Sequence, residues 1–92
     1  MIKKFKHKGL KKLFESGLVT GIQPQHDTRI RRILALLETA DTIEDMDLPD
    51  LNLHELKGNR KGTYAVKVSD NWRITFQISG GDVFDVDYED YH

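Results

Sequence analysis

The chain ends on an acid, a phenol and an imidazole, Asp90, Tyr91 and His92. Chain ends usually fray and carry small polar residues, so this ending asks for a reason. With cations nearby, these groups could cleave a phosphodiester without a metal. A base would take the proton of a ribose 2′-hydroxyl, an acid would protonate the leaving 5′-oxygen, and cations would balance the charge on the phosphoryl oxygens. The ending is therefore a candidate for proton-transfer chemistry on RNA.

Three upstream residues could complete such a set: His54, Lys57 and Arg73. Histidine titrates nearest neutrality and is the natural first proton carrier, while the lysine and the arginine supply positive charge. On an ideal strand His54 and Lys57 point to opposite sides, so a common site for them requires a bend, which Gly58 would permit. The two remaining histidines, at positions 7 and 26, are expected to take no part.

A metal site is the competing interpretation. His54, His92 and Asp90 would make a chemically reasonable ligand set, but no H-x-x-x-H or similar spacing supports it. The chain has no cysteine, so a thiolate site is excluded. The segment GNRKG at 58–62 also lacks the Ser- or Thr-bearing helix start of a phosphate-binding loop. We therefore expect no metal and no cofactor.

Length and composition indicate a single domain spanning residues 1–92. Of its residues, 38% are hydrophobic, and no run approaches the roughly 18 apolar residues of a membrane helix. The basic N-terminus lacks the apolar stretch of a secretory signal. Together with the lack of cysteine, this favours a cytoplasmic protein without membrane contact.

Charge is segregated along the chain although the formal net charge is −1. Residues 1–12 carry lysines and no acid, whereas residues 38–50 and 82–92 carry acids and no base. This distribution predicts separate basic and acidic surfaces, of which the basic one would suit a polyanion.

The first half of the chain has helical periodicity. Leu10, Leu13 and Phe14 predict a short amphipathic helix that ends at Gly17. A longer helix is predicted over 24–40, with Asp27 as its N-cap. A single helical turn is predicted at 42–46.

The second half alternates with a period of two. Alternating runs at 63–68, 72–78 and 84–89 predict three strands joined by the turns SDN and SGGD. Residues 51–57 would add a fourth strand, and residues 2–6 a short edge strand. The expected fold is α+β, with two N-terminal helices packed on one face of a mainly antiparallel sheet.

The same alternation orients the candidate residues. If Trp72, Ile74 and Phe76 face the helices, Arg73 faces the other way. Lys67 lies on the matching polar side of the neighbouring strand, so the centre of that face is expected to be basic. In the last strand, Phe84, Val86 and Tyr88 continue the core-facing set. We expect pairing to stop near Glu89, which would free the last three residues to turn over the face that carries Arg73.

Four segments together resemble the HigB toxins of type II toxin–antitoxin modules, in the RelE superfamily: IKKFKHKGLKKLFESG, LHELKGNRKGTYAVKV, NWRITFQ and YEDYH. The resemblance covers essentially the whole chain. It implies the RelE-like microbial RNase fold and a metal-independent endoribonuclease that cuts translated mRNA in the ribosomal A site. It also implies inhibition by a HigA-like helix-turn-helix antitoxin, which alone would contact operator DNA.

The resemblance also implies which residues act. The active-site positions of the family fall on His54, Lys57, Arg73, Asp90, Tyr91 and His92. Toxins of this superfamily are often strongly basic, whereas the pI of this chain is near 6.4. A basic side toward the ribosome and the RNA would be supplied by Lys3, Lys4, Lys6, Lys8, Lys11, Lys12, Arg60 and Lys61.

Two alternatives remain beside the ribonuclease. The first is a toxin of the same fold that inhibits a protein target such as a topoisomerase without hydrolysis; a catalytic set at the end of the sheet argues against it. The second is a plain nucleic-acid-binding module, which the core-facing phase of Trp72 argues against, because such modules expose aromatic rings for base stacking. Codon preference, antitoxin stoichiometry and the assignment of general base and acid do not follow from the sequence.

Overall fold

Two helices cover one face of a four-stranded antiparallel sheet in the computed structural model, which describes residues 1–91. The elements are α1 (Lys8–Ser16), α2 (Asp27–Thr39), β1 (His54–Glu55), β2 (Tyr64–Lys67), β3 (Trp72–Ser79) and β4 (Asp82–Asp90). The strands pair in the order β1-β2-β3-β4, each antiparallel to the next. The predicted α+β meander is confirmed.

Both ends of α1 are capped. The Nδ1 atom of His7 accepts a hydrogen bond from the Leu10 amide at 3.2 Å. At the other end Gly17 adopts a left-handed conformation with φ 73°, and its amide donates to the Leu13 carbonyl at 2.9 Å, as the predicted glycine stop requires. His7, which was expected to take no part in catalysis, thus has a structural role as a helix cap.

The long helix begins later than predicted. Residues Pro24–His26 form a 3-10 turn, and α2 starts at Asp27. The predicted N-cap was therefore wrong: Asp27 is the first helical residue, and its carboxylate instead pairs with Arg31 one turn later. Arg29 donates from Nε to the Lys67 carbonyl at 3.0 Å, which ties α2 directly to β2.

Two of the predicted strands are much reduced. The segment 51–57 contributes only the two residues of β1, because Pro49–Leu51 forms a 3-10 turn and Asn52 takes a left-handed conformation with φ 50°. The N-terminal segment makes only isolated parallel bridges to β4, pairing Ile2 with Val83 and Phe5 with Val86. It nevertheless lies along the edge of β4, in the position of an edge strand.

A β-bulge in β4 changes which side chains face the helices. Gln77 pairs with Phe84, but Thr75 pairs with Asp87, so β4 carries one extra residue between these pairs. Asp85 lies in the bulge with φ 53°. The prediction that Phe84 faces the core was wrong: Val83 is fully buried in its place, whereas Val86 and Tyr88 are buried as expected.

The core lies between the helices and the sheet. Its fully buried members come from both layers: Leu10, Ile30, Ile33, Leu37, Met46, Leu51, Val66, Ile74, Phe76, Val83 and Val86. The predicted single turn at 42–46 is present as a 3-10 turn, Ile43–Met46, closed by a capping box between Thr42 and Asp45. Within residues 1–91, no helix combines the length and apolar character needed to cross a membrane.

Candidate active site

The sheet face turned away from the helices, called here the outer face, carries two cross-strand rows of side chains. The first row runs across all four strands through His54, Ala65, Thr75 and Asp87. The second joins Lys67, Arg73 and Glu89. Residues directly opposite one another across paired strands project to the same face. His54 and Arg73 are therefore on the same face, as the predicted site requires.

Glu89 lies at the centre of a hydrogen-bonded cluster on this face. Its two carboxylate oxygens accept bonds from Arg60 at 3.0 and 2.6 Å. They also accept from Arg73 Nε and Nη2 at 3.3 and 3.1 Å, and from the Thr75 hydroxyl at 3.0 Å. Hydrogen bonding from Arg60, followed by that from Arg73 and Thr75, outweighs burial and lowers the pKa of Glu89 to about 2. The carboxylate is therefore ionised at every physiological pH.

This cluster corrects the expected charge of the outer face. The sequence predicted a basic centre, but Glu89 stands between the two arginines. Arg60, predicted to contact RNA, is also held in this ion pair, and its pKa is raised, first of all by hydrogen bonding to Glu89. A carboxylate 29 residues from one cation and 16 from the other gives no local sequence signal. Only the phase of β4 indicates that Glu89 faces outward.

Tyr91 contacts Arg73, although not in the way predicted. Pairing does not stop at Glu89: β4 continues to Asp90, and the Tyr91 amide donates to the Asn71 carbonyl at 2.8 Å. The strand itself thus carries the Tyr91 ring to the outer face, where the Arg73 guanidinium carbon lies 4.6 Å from the ring centroid. This is a cation–π contact. The Tyr91 side chain remains more than one-third exposed, so it is accessible to a substrate.

Asp90 is the last residue of β4. Asp90 pairs with Trp72, whose side chain is on the sheet face that packs against the helices. The Asp90 side chain therefore also lies on the helix side, at the end of the sheet. Its negative charge contributes to raising the pKa of the Tyr88 phenol, after burial, which is the larger cause. A role for Asp90 in the catalytic set stays a prediction. His92 lies outside the described residues.

His54 is exposed at the start of β1. Its Nδ1 lies 3.1 Å from the Asn52 carbonyl oxygen. A carbonyl oxygen only accepts, so Nδ1 carries the proton and Nε2 of the neutral ring keeps its lone pair. His54 can therefore accept a proton at Nε2. It also lines a cavity of about 300 Å³ together with Glu44, Asp47 and Tyr64.

Lys57 follows β1 and precedes the 3-10 turn Gly58–Arg60. Gly58 has φ 70°, so the chain turns directly after Lys57; a common face for Lys57 and His54 stays a prediction. Lys57 and Lys61 line a second cavity, of about 430 Å³, which has Glu55 but not His54 in its wall. The six N-terminal lysines are all exposed, and one of them, Lys4, pairs with Asp85 at 3.7 Å.

Sequence reasoning missed one buried polar pair. The Tyr88 hydroxyl accepts from the Gln23 amide at 3.4 Å and lies 2.5 Å from His26 Nδ1. Burial lowers the pKa of His26, which favours the neutral imidazole, and the Tyr88 hydroxyl can donate to Nδ1 in the tautomer that carries its proton on Nε2. The Trp72 and Tyr88 rings stack with centroids 4.4 Å apart. The sequence did indicate such a pair, because the alternation along β4 places the Tyr88 side chain in the core, where its hydroxyl needs a hydrogen-bond partner.

Of the predicted catalytic residues, Arg73 and Tyr91 are in contact on the outer face, and His54 lies on the same face, two strands away at the level of Thr75. No group of three His, Asp or Glu side chains among residues 1–91 could hold a metal ion.

Comparison with known proteins identifies the family. The family model described as "RelE-like toxin of type II toxin-antitoxin system HigB" matches residues 3–92. The chain belongs to this family. A curated HigB-family protein, Endoribonuclease HigB of Proteus vulgaris, is 48% identical over 92 residues, which is 100% of both chains. The resemblance found in the sequence is confirmed.

Solved structures support the same fold. YafQ from E. coli strain BL21(DE3) superposes with a TM-score of 0.65 at 15% identity, over 98% of this chain and 91% of that one. A chain of the YoeB–YefM complex from Staphylococcus aureus gives 0.61 at 12% identity, over 100% and 98%. At these identities the likeness is one of fold. The HigB-family chain described here therefore has the fold that the sequence predicted.

Proposed function

We propose that this HigB-family toxin is an endoribonuclease that cleaves mRNA in the A site of the ribosomal small subunit and so stops translation and growth. The observation that carries the proposal is the full-length relation to a curated endoribonuclease of the same family. The outer-face arrangement of His54, Arg73 and Tyr91 supports it, because these groups suit transfer of protons and stabilisation of a phosphoryl charge.

The proposed reaction needs only groups of this chain and the RNA. The ribose 2′-oxygen forms a bond to phosphorus and the bond from phosphorus to the 5′-oxygen breaks, which leaves a 2′,3′-cyclic phosphate and a 5′-hydroxyl. His54 Nε2 would take the 2′-proton, because Nδ1 is hydrogen-bonded to the Asn52 carbonyl. Arg73 and Lys57 balance the charge on the phosphoryl oxygens. Asp90, Tyr91 and His92 complete the proposed catalytic set, one of them supplying the proton for the leaving oxygen.

The partners follow from the same proposal. The exposed lysines of the N-terminal segment and α1, together with Lys61, would contact ribosomal RNA, whereas Arg60 serves the ion pair with Glu89. We place the protein in the cytoplasm, where ribosomes are. Its inhibitor would be a HigA-like helix-turn-helix antitoxin, through which alone it would reach operator DNA.

The test uses one mRNA with ribosomes stalled at a defined codon. The protein should cut the A-site codon only when ribosomes are present. It should fail to cut the same mRNA when a 2′-O-methyl group blocks the nucleotide before the cleaved bond. Efficient cleavage of the blocked mRNA would contradict the 2′-hydroxyl mechanism. Equal cleavage of naked mRNA would contradict ribosome dependence, and growth inhibition without any cleavage would favour a protein target instead.

A further inference from the structure

One carboxylate connects the separate chain segments that carry the proposed site. Glu89 on β4 binds Arg73 on β3 and Arg60 in the turn after β1. Arg60 ends the turn that begins next to Lys57, and Arg73 lies beneath the Tyr91 ring. The Glu89 side chain is thus bonded to or next to three parts of the proposed site: the turn after Lys57, the start of β3 and the end of β4.

Glu89 cannot itself perform the chemistry. At neutral pH it is ionised, since its pKa is about 2, so it is unsuited to carry a proton there. A carboxylate also repels the phosphate that the site must receive. Its side chain is 20% exposed and five donors fill its oxygens, so its role is to hold its neighbours.

The bonds to Glu89 fix the orientation of Arg73. The carboxylate takes the Nε and Nη2 edge of the guanidinium, and the Tyr91 ring covers one face of it. Nη1, with two N–H donors, is the nitrogen turned away from the carboxylate. A guanidinium held on an edge and on a face presents these donors in one direction, which is what a phosphoryl oxygen needs in the transition state.

We propose that Glu89 is a positioning residue of the ribonuclease site, which holds Arg73, and through Arg60 the segment after Lys57, in the geometry that receives the RNA phosphate. This proposal rests on the proposed function. It differs from a purely stabilising role because it assigns to Glu89 an effect on the rate that passes through Arg73.

The experiment measures kcat and the half-saturating ribosome concentration for cleavage of a stalled mRNA. Glu89→Gln is compared with Asp87→Asn, which removes the same charge two residues away on the same face of β4. Glu89→Gln should lower kcat at least about tenfold and leave half-saturation within about threefold. Asp87→Asn should keep both values within about threefold. In an Arg73→Lys background, Glu89→Gln should lower kcat by a clearly smaller factor than in the wild type, because the part of its effect that passes through Arg73 is already lost.

Melting temperatures of all variants are measured beside the rates. If Glu89→Gln is unfolded at the assay temperature, Glu89→Asp decides: it keeps the charge but shortens the side chain, so a folded variant with reduced kcat supports positioning. Full activity of either folded variant, or an undiminished loss in the Arg73→Lys background, overturns the proposal. A wild-type protein that does not cut at all contradicts the proposed function, and the positioning role with it.

Discussion

At the scale of single residues, Glu89 should make the stability of the fold depend on pH. Its folded pKa of about 2 lies below its ordinary value of 4.5. The stabilisation is therefore fully present above pH 4.5 and is lost as the pH falls toward 2. A difference of this size corresponds to roughly 3 kcal/mol at most. Urea unfolding at pH 6 and pH 3 should show a smaller loss of stability in Glu89→Gln than in the wild type. Equal losses in both proteins would contradict this assignment.

The buried phenol gives a second prediction at this scale. Tyr88→Phe keeps the ring that stacks on Trp72 but removes the donor to His26 and the acceptor for the Gln23 amide. Two partly or fully buried polar groups then lack a partner, so the free energy of unfolding should fall by about 1–3 kcal/mol. Denaturant unfolding measures this loss. Tyr64→Phe, on the same sheet face in β2, is the control and should cost less, and an equal cost in both variants would argue against the special role of the buried pair.

The alternation of apolar and polar residues along each strand predicted most side-chain orientations. Particular residues show where this prediction fails. Alternation correctly placed Arg73 outward and Tyr88 inward. It could not predict that Arg73 binds Glu89, because the bulge at Asp85 shifts the register between β3 and β4 and so places Glu89, rather than Tyr88, opposite Arg73. It also misplaced Phe84, because the bulge at Asp85 adds a residue to β4 without any change in the apolar pattern before it.

At the scale of elements, the last strand determines where the proposed catalytic groups lie. Among the described residues, Tyr91 makes one cation–π contact and donates one backbone hydrogen bond at the very end of the sheet, and deletion of Tyr91 and His92 removes both. The truncated protein should therefore lose ribosome-dependent cleavage while its melting temperature falls by only a few degrees. Cleavage of a stalled mRNA and thermal unfolding test the two halves of this prediction. Near wild-type cutting by the truncated protein would show that the ending is only a polar tail.

Element boundaries were predictable to different degrees for physical reasons. Both helices follow from their apolar stripes, and Gly17 marks an end by its left-handed conformation. The start of α2 was missed because Pro24 favours either a helix or a 3-10 turn. Strand β1 was overestimated because Asn52 turns the chain just before it, which its apolar neighbours do not reveal. The helical and turn signals are local, whereas strand length depends on partners far along the chain.

At the scale of the whole molecule, the acidic segment 38–50 is less available to a partner than its charge indicates. Asp50 pairs with Arg29 and Arg32, Glu38 accepts from the Ile2 amide, and Asp45 caps its own turn. In the helical half, by contrast, a cavity of about 200 Å³ between α1 and α2 is lined by Leu13, Phe14, Arg31, Leu34 and Ala35. The exposed fraction of Phe14 is 38%.

The antitoxin should therefore bind the helical half. Phe14→Asp should weaken the complex with the antitoxin at least about tenfold, because it puts a charge into an apolar contact, and should leave mRNA cleavage unchanged. The double reversal Glu44→Lys with Asp47→Lys serves as the comparison and should leave the affinity within about threefold. Calorimetric titration of the antitoxin measures both. The opposite result would assign the contact to the acidic segment.

The bulge in β4 also has a consequence for which genetic changes the toxin can tolerate. Beyond Asp85, the face to which each side chain points is set by the number of residues that separate it from the bulge. Many substitutions between Val86 and Asp90 would change one contact. Removal of a single codon between Val86 and Tyr88 would exchange the two faces for the residues that follow, turning Glu89 toward the core and Asp90 toward Arg73. A genetic selection for cells that survive the toxin should therefore recover in-frame single-codon deletions here as complete loss-of-function alleles.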